Sequence, residues 1–203
     1  DRILFDTGES AGPLFYNMDR MGVSIEQIQS VVISHEHFDH TGGLWNILKE
    51  RPGINVYVCP DFSAPFKEEA ASYTCNVIEA HHMTPIAERI QATGQLRSGT
   101  HSDGIAEQSL VLCTELGLTM LTGCAHVGIV DMVEQVTMLT GKKSYLVMGG
   151  FHLLGEPETM VQAVGRRLHE LGVQYIGPAH CTGTEPMRIL KGSYGQRFID
   201  VLV

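Results

Sequence analysis

The sequence holds no apolar run near the ~20 residues that a membrane-spanning helix requires, and no charged-then-apolar leader opens it. Basic residues are scarce, with 14 Lys and Arg against 23 Asp and Glu for a net charge of −9 and a pI near 5.5. A nucleic-acid backbone is recognised by a basic face that releases counterions, so nucleic acid is not an expected partner. The five cysteines, Cys59, Cys75, Cys113, Cys124 and Cys181, are odd in number and lack the paired spacing of a disulfide framework. They read as thiols of a reducing compartment, and the cytoplasm is the expected location. Neither the strand-to-helix G-x-G-x-x-G pattern nor the P-loop pattern occurs, which leaves nucleotide cradling without support. The chain opens at Asp1 without a methionine and runs straight into "RILF", so sequence upstream of it is expected.

What is present suits a packed protein. Its 203 residues are 43% hydrophobic and 18% charged, enough for a sizeable core, and a single domain over 1–203 is expected. Strands are predicted at 2–5, 30–34, 54–59, 108–114, 118–122, 144–148, 173–176 and 198–203. Several are continuous apolar runs, the pattern of strands covered on both faces. Helices are predicted at 13–21, from the capping-box pair Ser24 and Gln27, at 43–51, and at 157–171, where Val161, Val164, Leu168 and Leu171 form one stripe. The "ELG" between 108–114 and 118–122 reads as a tight antiparallel hairpin. The alternation gives an α/β fold with mixed sheets. The polar, glycine-rich segment 92–108 is long for a loop in a compact domain and reads as mobile or functional.

The most informative stretch is "VVISHEHFDHTGG", Val31 to Gly43. "SVVIS" brings the chain to a strand end and "HTGG" turns it into a helix near Leu44, so "HEHFDH" lies on a loop at a sheet's carboxyl edge. Neutral imidazoles and a carboxylate are ligands for Zn²⁺, Mn²⁺ or Fe²⁺. His35 and His37, two apart in an extended segment, share a side and can hold one ion. Asp39 and His40 follow where the turn tightens and can reach a second ion, typically ~3.5–4 Å from the first. Glu36 and Phe38 point the other way as loop anchors, and the glycines permit the turn.

"HEHFDH" resembles the His-x-His-x-Asp-His signature of the metallo-β-lactamase superfamily, and "ILFDTG" upstream resembles the strand and turn that precede it there. The resemblance implies a four-layer αββα sandwich with a mono- or dinuclear metal site between its sheets and a metal-bound hydroxide as nucleophile. It also implies two further strands before the "DTG" turn, so the N-terminal strands of that fold are expected to be missing here.

Other ligands must come from elsewhere, because four residues on one loop cannot close two coordination spheres. Cys124 and His126 in "LTMLTGCAHVG", His152 in "YLVMGGFHLLG", and His180 and Cys181 in "YIGPAHCTG" all follow strand ends. These segments resemble the subgroup that includes the dihydropteridine-related phosphate synthases of methanopterin biosynthesis and bacterial metal-dependent hydrolases. The resemblance makes His35, His37, Asp39, His40, Cys124, His126 and His180 the metal ligands, with Cys124 standing where most of the superfamily has a bridging Asp. A thiolate there favours zinc. Asp39 and His152 are the expected catalytic residues: Asp39 orients or deprotonates the water, and His152 gives a proton or stabilises an oxyanion.

These readings together give a metal-dependent hydrolase, most simply dizinc, acting on a small and phosphorylated or pterin-like substrate, without a membrane partner. The alternatives are a pterin-condensing synthase and a metal- or ligand-sensing module in which the Cys124 change has disabled turnover. Thr182 and Thr184 in "CTGTEP" could face a phosphate, and Arg188, Lys191 and Arg197 an anion, although a solvated helix face is the simpler reading of the basic residues.

Overall fold

The computed structural model describes residues 2–97 and 104–201. The chain divides into two compact units, Asp1–Gln95 with Ala106–Leu110, and Leu96–Ile105 with Val111–Val203. Each is α/β and has its own core.

In the first unit β1 (Ile3–Phe5), β2 (Ser30–Val32), β3 (Asn55–Val58) and β4 (Asn76–Glu79) form an all-parallel sheet in sequence order. Parallel neighbours need crossover connections, and these carry α1 (Ala11–Arg20), α2 (Phe38–Thr41), α3 (Leu44–Glu50) and α4 (Ala64–Ser72). Val31, Ile33, Val56 and Val58 meet Leu44, Ile47 and Leu48 of α3 and Phe66 and Ala70 of α4. Each such buried aliphatic side chain contributes about 1.5–3 kcal/mol. β5 (Thr84–Ala87) and β6 (Ile90–Ala92) form an antiparallel hairpin that is not part of this four-stranded sheet. The capping box at Ser24 is present, but it starts only the 3-10 turn Ile25–Gln27.

In the second unit the strands β7 (Leu110–Thr114), β8 (Gly117–Thr122), β9 (Ser144–Gly150) and β10 (Tyr175–Ala179) lie in the order β10-β9-β8-β7, with β9 parallel to both its neighbours. β7 and β8 are joined by Glu115 and Leu116, a connection short enough only for an antiparallel pair. Helices α5 (Ile129–Thr140), α6 (Glu158–Glu170) and α7 (Thr184–Tyr194) pack on this sheet. The predicted stripe of α6 is real: Val161 and Leu168 are fully buried, and Val164 and Leu171 rest against the same core.

The differences from the predicted elements have local causes. β10 runs to Ala179 through "GPA", three residues beyond its predicted end, and so carries the chain directly to His180. No strand forms at 198–201: Phe198 makes one bridge to Ile176, while Lys191 pairs with Asp200 and holds the segment to α7. Residues 202–203 of that predicted strand lie outside the described residues. β4, β5, β6, α4 and α5 were not foreseen; β4 has polar exposed ends, and α5 is rich in β-branched residues that read equally as strand. Within the segment 92–108, residues 98–103 lie outside the described residues. Thr93, Leu96, Glu107 and Gln108 are buried, and the Gln108 side chain donates to the Ile33 and Tyr57 carbonyls at 2.8 and 3.2 Å.

Gly42 and Gly43 are needed for closeness and not for an unusual turn. Both have right-handed helical backbone, at φ −63° and −80°. A Cβ on Gly42 would lie 2.0 Å from the Glu9 carbonyl oxygen, and one on Gly43 2.4 Å from that of Thr7. The "DTG" turn therefore lies directly on the histidine loop. Gly42→Ala is expected to destabilise the protein by about 3 kcal/mol or more through this backbone overlap. Gly12→Ala, in α1 with open space around it, is expected to stabilise by about 0.5–1 kcal/mol. Thermal unfolding of the two variants against the wild type checks both signs.

Candidate functional site

The first unit gathers one half of the candidate residues around Asp6. This residue ends β1 in left-handed backbone, at φ 59°. Its Oδ1 accepts from the Ser34 backbone N–H at 2.7 Å, and its Oδ2 from the Ser34 hydroxyl and from His40 Nδ1, each at 2.7 Å. The Ser34 hydroxyl, having donated to Asp6, accepts from His35 Nδ1 at 2.9 Å. One carboxylate thus places the proton of both rings on Nδ1 and leaves Nε2 as the electron-pair donor of His35 and His40. Thr7 completes the tie by donating its N–H and its hydroxyl to the His40 carbonyl, both at 2.8 Å.

His35 Nε2 stands 3.1 Å from His37 Nδ1. Two nitrogens on a tetrahedral Zn²⁺, each at ~2.05 Å, lie about 3.3 Å apart, so this pair fits a shared ion. His40 Nε2 is 3.4 Å from Asp39 Oδ2 on the short helix α2, where the tightening of the loop was expected. Glu36 does anchor the loop, its carboxylate accepting from the Ser63 N–H at 2.6 Å and from the Ser63 hydroxyl. Phe38 does not anchor it, being 72% exposed.

Burial disfavours the charged form of His40, but the Asp6 hydrogen bond and the negative charges of Asp6, Asp39 and Glu107 outweigh it and raise its pKa. Asp6, Ser34 and Glu107 were missed as site residues. The "DTG" turn signals Asp6, whereas nothing in the polar segment around Glu107 marks it as fully buried.

The second unit gathers the other half on three strand-end loops stitched by backbone contacts. After β8 and β9, the Gly150 N–H donates to Gly123 and the Thr122 hydroxyl to Gly150. After β10, the Thr182 hydroxyl donates to Ala179 at 2.6 Å and accepts from the Phe151 N–H at 3.0 Å. Thr182 is therefore committed to joining loops and is not presented to a phosphate. Ala125, His152 and His180 all adopt left-handed backbone, at φ 63°, 52° and 50°. Each such residue costs about 1–3 kcal/mol, a strain that gathers where side chains are re-aimed for function.

The His126 and His152 rings lie 4.4 Å apart, and Cys124, His152 and Cys181 each offer a donor atom within 4.8 Å of the others. Cys124 is buried, His152 and His180 are exposed and Cys181 is half-buried. A hydrogen bond from Cys124, opposed by burial and aided by His152 and the charge of His180, pulls the Cys181 thiol down to about 5. A cavity of about 330 Å³ opens beside His126 and His152, with Ile129, Phe151, Met160 and Val164 in its walls and Asp131 and Glu156 among its polar groups. The basic residues of α7 lie elsewhere: Arg188 pairs with Glu185 and Lys191 with Asp200, a solvated face.

Two α/β units with histidine- and cysteine-bearing loops at their strand ends define an α/β protein whose His, Cys and Asp clusters could hold metal ions. The chain belongs to the metallo-beta-lactamase superfamily, whose family pattern matches residues 1–136. It is 30% identical to the 7,8-dihydropterin-6-methyl-4-(beta-D-ribofuranosyl)-aminobenzene-5'-phosphate synthase of Methanocaldococcus jannaschii, over 97% of this chain and 81% of that protein. Among solved structures it resembles Tm1679, a metal-dependent hydrolase of the beta-lactamase superfamily, with TM-score 0.82 and 28% identity over 99% of this chain and 86% of that one. It shares the fold of YhfI from Bacillus subtilis, with TM-score 0.67 and 13% identity over 97% of this chain and 80% of that one.

The raised pKa of His40 sets a pH dependence. Its protonated form is favoured by folding, so the stability it contributes is complete below the ordinary value of 6.5 and is lost as pH rises through the raised folded value. In metal-free protein Asp6→Asn, which keeps a residue tolerant of positive φ, is expected to cost about 1.5–3 kcal/mol below pH 6 and less above pH 8. Melting temperature against pH for wild type and variant checks the narrowing.

Proposed function

We propose that this chain is a metal-dependent hydrolase acting on a small, phosphorylated or pterin-like substrate, with residues 1–203 serving as one functional domain. His35, His37, Asp39 and His40 of the first unit and Cys124, His126 and His180 of the second are its metal ligands. The observation that carries this reading is the Asp6 carboxylate, which fixes the tautomers of His35 and His40 so that both Nε2 atoms are donors. A second carboxylate behind a histidine pair has little purpose in a packing role and a clear one in raising ligand basicity. The Cys124 thiolate favours zinc over Mn²⁺ or Fe²⁺.

Divalent ions held by these residues would supply a water acidified from about 15.7 to roughly 7 and would polarise a carbonyl or phosphoryl oxygen of the substrate. Asp39, only half-buried on its short helix, would orient a water and accept its proton. His152, exposed on its glycine-preceded turn, donates a proton to the leaving group or a hydrogen bond to a developing oxyanion. No side-chain nucleophile is required. The cavity beside His126 and His152 receives the apolar part of the substrate. The five cysteines without paired spacing favour a reducing compartment, and the reading places a small-molecule enzyme in the cytoplasm.

The identity with the methanopterin-pathway synthase favours one second reading. In it the same residues assist condensation of a pterin diphosphate with an aminobenzene ribose phosphate.

Elemental analysis of protein purified without added metal is expected to find close to two zinc ions per chain, with turnover of a phosphodiester, lactone or thioester in a substrate screen. His37→Ala is expected to lose most bound metal and to lower activity by at least a hundredfold. Activity that survives this change sinks the assignment. A condensation product found by mass spectrometry, with no hydrolysis in the screen, selects the synthase.

A further inference from the structure

We propose that Cys124 and Cys181 form a dithiol that hydroperoxides oxidise to a disulfide, withdrawing Cys124 from metal binding. The two thiols are reduced and stand 57 residues apart in sequence. They meet because β8 and β10, which deliver them, flank β9 on either side. Cys181 Sγ lies 3.3 Å from the Cys124 carbonyl oxygen, and the two sulfurs are within 4.8 Å of each other. Gly150, at the end of β9, makes the approach possible. A Cβ there would stand 2.7 Å from Cys181 Sγ and 2.9 Å from the Cys124 Cα. Any other residue would force the sulfur away.

The pair is asymmetric in access, as an oxidant-sensing pair requires. Cys181 is half-buried and open to a small peroxide, whereas Cys124 is only 4% exposed. In the first step Cys181 sulfur attacks the peroxide ROOH, breaking its O–O bond to give a sulfenic acid and ROH. In the second, Cys124 sulfur attacks the Cys181 sulfur, forming the S–S bond and releasing water. Two thiols and one peroxide thus become one disulfide, ROH and water, with two electrons passed to the peroxide. His152, whose ring lies within reach of both sulfurs, is placed to take and return the proton.

The consequence for metal rests on the proposed role of Cys124 as a ligand; the thiol chemistry does not. The test treats chelator-stripped wild-type protein with stoichiometric hydrogen peroxide and counts thiols after denaturation. The count is expected to fall by two from five and to recover with dithiothreitol, and peptide mapping is expected to find Cys124 linked to Cys181. Cys181→Ser, checked for an unchanged melting profile, is expected to form no linked peptide. An unchanged count, a different pair of linked cysteines, or irreversible oxidation of Cys181 alone overturns the dithiol. Zinc titration of the oxidised protein is expected to show at least tenfold weaker binding. Should the disulfide form while zinc affinity stays unchanged, the gating is overturned; if Cys124→Ser also binds zinc normally, the fault lies in the ligand role of Cys124.

Discussion

A carboxylate at the end of the first strand holds the candidate chemistry of the first unit in place. Asp6 sits at positive φ, a conformation most residues avoid, and spends both its oxygens on the loop that follows β2. Through Ser34 and directly, it dictates which nitrogen of His35 and of His40 carries hydrogen. The orientation and basicity of the His35 and His40 rings follow from that tether. The contact of the "DTG" turn with Gly42 and Gly43 belongs to the same constraint, since backbone must lie on backbone for the carboxylate to reach.

The second unit solves a related problem by different means. Three strand ends bring Cys124, His152 and Cys181 together, laced by Thr122, Thr182 and the glycines of β9. The loops bend at Ala125, His152 and His180 through backbone that costs energy, and the parallel pairing of β8, β9 and β10 bears that cost. Because β9 separates its neighbours by only one strand, residues distant in sequence become adjacent sulfurs and imidazoles.

Membership of the metallo-beta-lactamase superfamily accounts for the histidine loop and the two-sheet architecture. It leaves open which bond is broken or made, since the named relatives include both a metal-dependent hydrolase and a synthase. Beside the histidine loop this chain carries a thiol at position 124, an exposed imidazole at 152, and an apolar cavity with Asp131 and Glu156 in its lining.

Local chemistry wrote part of this structure into the sequence. The apolar runs of β2, β3 and β9, the stripe on α6 and the dense "HEHFDH" loop each depend on neighbours a few residues away, so periodicity and composition reveal them. Tertiary structure alone decided the rest. It buried Glu107 and Gln108 inside a segment that reads as a loose polar loop, made Asp6 the partner of a histidine 34 residues away, and set Cys181 against Cys124. It also reduced the apolar end of the chain to a single bridge, Phe198 to Ile176, where a strand was expected. The division has one physical cause: hydrogen bonds and sulfur contacts between distant segments have no period, and they exist only once the strands that carry them are side by side.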